Sequence, residues 1–252
     1  MLDHYTIGAI NCVLQNFALV KFILVNGFSL LMRISAVFLD LDGTLIDSIP
    51  LIMASDKAAI EDSGFKVTHQ KLRELSQLHS RDIAYYLMDS TKKVFDLFGF
   101  VEFRRKVFLK LLKKHKARKL WFSDSKQFIN EMSKRFSLAV ITGSRHLFIN
   151  AVFDKKTFNK INLFVTSDDV EHKKPDIEPL VKAIKKLKTK KEEIVFVGDS
   201  EQDGLMCQRL GVKFIAKLGG ISTENQLRKY NPVFVAKDFN EVKRFIDLLE
   251  DI

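Results

Sequence analysis

Cysteine is nearly absent: the 252-residue chain has two, Cys12 and Cys207, far apart and with no C-x-x-C pair. That excludes a disulfide framework and a cysteine-based zinc site, and it favours a reducing compartment, so a cytoplasmic protein is expected. The six histidines are scattered, which leaves no histidine metal site and no Ser-His-Asp arrangement to argue from. There is no internal repeat and no low-complexity tract. Charge is scarce in one place only, where Lys21 is the sole charged residue between Ile7 and Met32.

That N-terminal stretch has apolar patches (FALVKFILV, FSLLM), which raises a membrane helix or a signal sequence. Neither fits well, because Lys21 sits in the middle, Asn11, Gln15, Asn16 and Asn26 interrupt the run, and no charged leader or small-residue cleavage site stands out. We expect residues 1–32 to be an apolar extension ahead of a core beginning near Met32-Arg33-Ile34-Ser35, with membrane contact the less favoured reading.

The chain is 46% hydrophobic, sufficient for one core and a small second unit. Its net charge of +10 raises nucleic acid or an anionic membrane as partners. The two basic clusters, Lys106–Lys119 and Lys182–Lys191, interleave apolar residues at helical spacing. This is the pattern of a half-buried helix with a lysine-rich outer face, so no nucleic acid is expected. The same positive field draws phosphorylated small molecules.

The densest chemical signal is AVFLDLDGTLIDS at residues 36–48, a short apolar strand that delivers Asp40 and Asp42 at its end. Alternate strand residues face opposite ways, so both acids reach one ligand only if a turn begins here, and Gly43 permits it. Three more polar clusters follow apolar runs in the same way: SLAVI before Thr142-Gly143-Ser144, INLFV before Lys173-Lys174-Pro175, and IVFV before Gly198-Asp199-Ser200-Glu201-Gln202-Asp203. Helical patterns lie between them. Strands alternating with helices predict an α/β fold, a Rossmann-like doubly wound parallel sheet, with ligands bound at the carboxyl ends of the strands.

In that ordered set the chain resembles the haloacid dehalogenase-like hydrolase superfamily over about residues 33–250, in the style of its phosphoglycolate phosphatase and β-phosphoglucomutase branch. The resemblance implies Asp40 as a nucleophile that forms an aspartyl-phosphate and Asp42 as the acid and base that serves the leaving alkoxide and then the hydrolytic water. It implies Mg²⁺ held by Asp40, the backbone carbonyl of Asp42 and Asp199, with Asp203 behind them orienting ligands or lysine. Thr142 would hold a phosphoryl oxygen beside the Gly143 and Ser144 amides at a helix start, and Lys174 would supply fixed positive charge. A lysine at 173, where that branch usually has a small residue, leaves open which of the two faces the site. Asp47 and Ser48 read as caps of the next helix.

From Asp40 to Thr142 the chain runs 102 residues, whereas a crossover to the next strand needs about 30. The excess predicts an inserted helical cap over 49–120, with the core formed by 33–48 and 121–252. Within the insertion, His79 and Arg81 stand at a polar break, as candidate contacts to the substrate or as a simple helix start capped by Ser80. The function expected is a Mg²⁺-dependent phosphatase acting on a small-molecule phosphate monoester, such as a phosphoglycolate-like compound, a sugar phosphate or a nucleotide. The alternatives are a phosphomutase of the β-phosphoglucomutase kind and a non-catalytic basic binding protein on the same fold.

Overall fold

The computed structural model describes residues 33–250 except residue 93. The expectations placed on residues 1–32, and Cys12 with them, lie outside the described residues.

Six parallel strands form one sheet: β1 (Ala36–Leu39), β2 (Ser137–Ile141), β3 (Leu163–Val165), β4 (Ile194–Gly198), β5 (Lys213–Lys217) and β6 (Phe234–Ala236), in the order 3-2-1-4-5-6. The order reverses at β1, which pairs with β2 on one side (Val37 opposite Leu138) and with β4 on the other (Val37 opposite Val195). Ligands of such sheets sit outside the carboxyl ends at this switch point.

All four residues of β1 are buried, as expected of a strand covered on both faces. Val37 and Leu39 point into one layer with Phe128, Ile129, Val242 and Phe245, carried by α5 (Ser125–Met132) and α11 (Phe239–Glu250). Ala36 and Phe38 point into the other with Leu180, Ala183 and Met206, carried by α8 (Glu178–Leu187) and α9 (Glu201–Leu210).

Between β1 and α5 lie four α-helices: α1 (Ile49–Asp62), α2 (His69–Leu75), α3 (Ser80–Thr91) and α4 (Leu97–Lys114). They bury an apolar cluster of their own, including Met53, Ile60, Leu72, Leu75, Ile83, Leu87 and Phe100. The chain leaves the core and returns side by side, with the Asp47 amide on the Leu120 carbonyl (2.7 Å) and the Phe122 amide on the Leu45 carbonyl (3.2 Å). α6 (His146–Val152) and α7 (Lys155–Phe158) lie between β2 and β3, and α10 (Glu224–Arg228) lies between β5 and β6. Among the described residues no helix is long and apolar enough to cross a membrane.

Candidate active site

The site is built where four strands end. Asp40 directly follows β1, and its amide continues the ladder by donating to the Val197 carbonyl of β4 (2.9 Å). The chain then turns at Gly43, whose φ of 82° lies in the left-handed region that a side chain disfavours. A Cβ at Gly43 would also stand 2.8 Å from the Asp199 carboxyl carbon, so the turn packs directly on the end of β4.

Lys174, reached by the loop after β3, is buried and places its Nζ 2.5 Å from Asp40 Oδ1 and 2.7 Å from Asp203 Oδ1. Lys173 is exposed, so Lys174 is the lysine that faces the acids. Burial alone would lower the Lys174 pKa, but Asp203 and Asp40 together hold it above the ordinary lysine value. Burial pushes the Asp40 carboxyl well above the usual range against the pull of Lys174. Burial, then the neighbouring Asp203 charge, lifts Asp199 to about 6.

The Asp199 carboxylate is fixed from two sides, with Thr44 Oγ1 donating to Oδ1 (2.6 Å) and the Ile221 amide to Oδ2 (2.8 Å). Asp203 is committed elsewhere. Its Oδ2 accepts from the Ser200 hydroxyl (2.6 Å) and amide (3.2 Å) in a capping box that starts α9, while Oδ1 accepts from Lys174. Both of its oxygens are thus engaged, one by the start of α9 and one by the lysine.

Asp40, Asp199 and Asp203 are buried and bring one carboxylate oxygen each to within 4.8 Å of one another. Three buried carboxylates face one buried ammonium, and the surplus of negative charge is costly in a low-dielectric interior. An all-oxygen donor set of that charge fits a hard divalent cation and does not fit zinc, which prefers sulfur and imidazole.

Asp42 has a different environment. It is half-buried, and its carboxylate accepts from three hydroxyls: Ser48 Oγ (2.6 Å), Ser144 Oγ (2.6 Å) and Thr142 Oγ1 (3.2 Å). This corrects two expectations. Ser48 occupies the position before α1 but makes no side-chain cap bond, because its hydroxyl turns to Asp42 instead. The helix expected at Gly143 and Ser144 starts later, at His146, and the Ser144 amide is spent on Thr142 Oγ1 (3.0 Å).

Between the sheet edge and the helical insertion lies a cavity of about 950 Å³ lined by Asp40, Asp42, Gly143, Ser144, His79 and Arg81, among others. His79 reaches the Lys174 carbonyl with Nε2 (3.2 Å), and burial together with Lys173 lowers its pKa. Arg81 is exposed on the first turn of α3. The residue preceding that helix is His79, not Ser80, and it makes no side-chain cap bond.

The family model of the haloacid dehalogenase-like hydrolases matches residues 37–217. The chain belongs to this family. Among its relatives is the pyrophosphatase PpaX of Oceanobacillus iheyensis, 26% identical over 84% of this chain and 96% of that one. A hydrolase from Pseudomonas syringae has the same fold, with a TM-score of 0.72 at 21% identity over 85% of this chain and 98% of that one. So does CbbY from Rhodobacter sphaeroides, solved with xylulose 1,5-bisphosphate, with a TM-score of 0.70 at 17% identity over 83% and 96%. As a member of a hydrolase family the chain is an enzyme.

Reading the sequence did not find Thr44, Ser48, Ile221 or Arg104 as partners of the acids or of the cavity. Arg104 of α4 lines the cavity and is held through Nε (2.5 Å) by Asp56 of α1, which is 1% exposed. No local pattern marks Asp56 in the sequence, and its burial emerges only from the packing of α1 on α4.

Proposed function

We propose that the protein is a Mg²⁺-dependent phosphatase that hydrolyses a small organic phosphate monoester through an aspartyl-phosphate on Asp40. One observation carries this reading: two carboxylates two residues apart in the chain sit in opposite environments. Asp40 lies against a buried ammonium, and Asp42 lies among three hydroxyls at the cavity edge. A nucleophile must approach an anionic phosphate and needs cationic company. A proton carrier needs to be held in place yet remain accessible, as Asp42 is.

Asp40 and Asp199, with the backbone carbonyl of Asp42, would hold the cation. When bound it supplies positive charge against the phosphate oxygens. The residues supply the rest. Lys174 fixes Asp40 and offsets the charge of the incoming ester. An Asp40 oxygen forms a bond to phosphorus as the bond from phosphorus to the ester oxygen breaks, and Asp42 gives its proton to the departing oxygen. Asp42, now ionised, takes a proton from a water molecule that attacks the aspartyl-phosphate, which frees phosphate and restores Asp40. Ser48, Ser144 and Thr142 keep the Asp42 carboxyl aimed through both halves, and Thr142 and Ser144 are positioned to turn a hydroxyl toward a phosphoryl oxygen. The helical insertion over 49–120 acts as a cap that bounds the substrate cavity. His79, Arg81 and Arg104 are its polar contacts to the non-reacting part of the ester.

The test is phosphate release from a panel of esters, together with pyrophosphate, with Mg²⁺ and with EDTA, in wild type and Asp40→Asn. Metal-dependent release that the substitution abolishes supports the reading. Release that persists in Asp40→Asn removes the assigned nucleophile.

A further inference from the structure

The loop after β5 belongs to two structures at once. The Ile221 amide donates to Asp199 Oδ2 (2.8 Å), while the Ile221 side chain is buried in the apolar cluster of the helical insertion with Ile49, Met53, Leu72 and Leu75. The loop lies flush on Asp199, because a Cβ at Gly220 would overlap the Asp199 carboxylate, and the Ser222 amide bonds the Asp199 carbonyl (3.3 Å).

The insertion grips this loop from the other side. Arg73, on α2, donates from Nη2 to the Gly220 carbonyl (2.7 Å) and from Nε to the Ile221 carbonyl (2.8 Å). Two successive carbonyls match the planar fork of a guanidinium, which lysine does not reproduce. Gln77, just beyond α2, adds a second clasp. Its side-chain oxygen accepts from Ser222 Oγ (3.1 Å) and its carbonyl from Gln202 Nε2 (2.5 Å). Arg73 is not among the residues lining the cavity, so substrate contact does not account for it.

We propose that Arg73 is a positioning residue that couples docking of the helical insertion to the orientation of the Asp199 carboxylate, and through it to cation affinity. The inference rests on the reading above that Asp199 holds the cation. With the fork engaged, the Ile221 amide is held on Oδ2 while Thr44 holds Oδ1, which fixes the plane of the carboxylate. Without it, the loop keeps the Ile221 side chain and Gln77 as ties to the insertion but loses the grip on its backbone, and one of the two donors that aim Asp199 is loosened. Partners behind a ligating carboxylate commonly change metal affinity by 10–100-fold.

The experiment is a Mn²⁺ titration of the chelator-treated full chain, followed by the electron paramagnetic resonance signal of the free ion, which reads affinity without turnover. Wild type, Asp199→Asn, Arg73→Met and Arg73→Lys are compared, the last keeping charge on a half-buried site should the methionine variant fold poorly. The expected result is weaker binding in Asp199→Asn and about tenfold or more weaker binding in both Arg73 variants. Saturating Mg²⁺ is expected to return the kcat of the Arg73 variants toward wild type, a separation of affinity from turnover that a merely structural role would not produce. Wild-type affinity in the Arg73 variants, with Asp199→Asn weakened, overturns this proposal alone. Wild-type affinity in Asp199→Asn overturns the cation site itself, and the proposal with it.

Discussion

Ser48 Oγ lies 2.6 Å from Asp42 Oδ1, six residues apart in a turn where the serine was free to cap a helix. With Ser144 and Thr142 on the other carboxylate oxygen, it leaves both oxygens of Asp42 held by hydroxyls. In the half of the reaction where Asp42 is ionised, each hydroxyl bond to it is worth about 1.5–3 kcal/mol. Ser48→Ala is expected to lower kcat by about tenfold or more, since each 1.36 kcal/mol is a factor of ten. Asp42→Asn is expected to lower it by about 10²–10⁴. Steady-state kinetics on the preferred ester checks both, and a wild-type kcat in Ser48→Ala would remove the aiming role.

Lys174 and its neighbour Lys173 separate cleanly. Lys174→Met leaves Asp40 and Asp203 buried without their cation, and breaking such a pair costs about 3–5 kcal/mol. Lys173→Met, at an exposed position, is expected to stay within about 0.5 kcal/mol of wild type. Urea denaturation of the two variants in EDTA measures the difference, and equal stabilities would contradict the burial argument.

The strands and their order of function were legible because each ends a buried apolar run with a polar cluster, and because a doubly wound sheet sends all such ends to one edge. Asp40, Asp42, Thr142, Lys174, Asp199 and Asp203 all arrive there. What was not legible is the set of partners that hold them. Thr44 meets Asp199 across 155 positions of sequence, and Arg73 meets Gly220 across 147. Serine and threonine in turns also read first as caps, and Ser48 does stand at the cap position but spends its hydroxyl on Asp42. No local spacing encodes these pairings: that of Thr44 follows from β1 and β4 lying side by side in the sheet, and that of Arg73 from how the insertion packs on the sheet edge.

Gly43 is a backbone requirement as well as a close approach. Alanine there must adopt a φ near 82° and displace the Asp199 carboxyl. Gly43→Ala is expected to cost more than about 1 kcal/mol and to weaken Mn²⁺ binding in the same titration. Unaltered stability and affinity would show that the turn relaxes without disturbing Asp199.

Asp154 caps α7, and the Lys126 ammonium (2.6 Å) and then the Thr157 amide (2.9 Å) hold its carboxyl well below the ordinary carboxylate range. A depressed folded-state pKa contributes stability that is fully present above the unfolded value of about 3.9 and is lost as pH falls through the folded value. Asp154→Asn keeps a cap acceptor but has no charge to lose. Thermal melts from pH 7 downward are expected to show wild type more stable than the variant at pH 7, with the gap closing below about pH 4. A gap independent of pH would contradict the ion-pair contribution.

The central claim is a covalent phosphoryl group on Asp40. The direct measurement is a rapid acid quench of the enzyme during turnover of an ester labelled in its phosphoryl group, followed by peptide mapping. The account predicts label on the peptide that contains Asp40, with none in Asp40→Asn. Turnover with no protein-bound label at any quench time, or label that maps to a different residue, would contradict it.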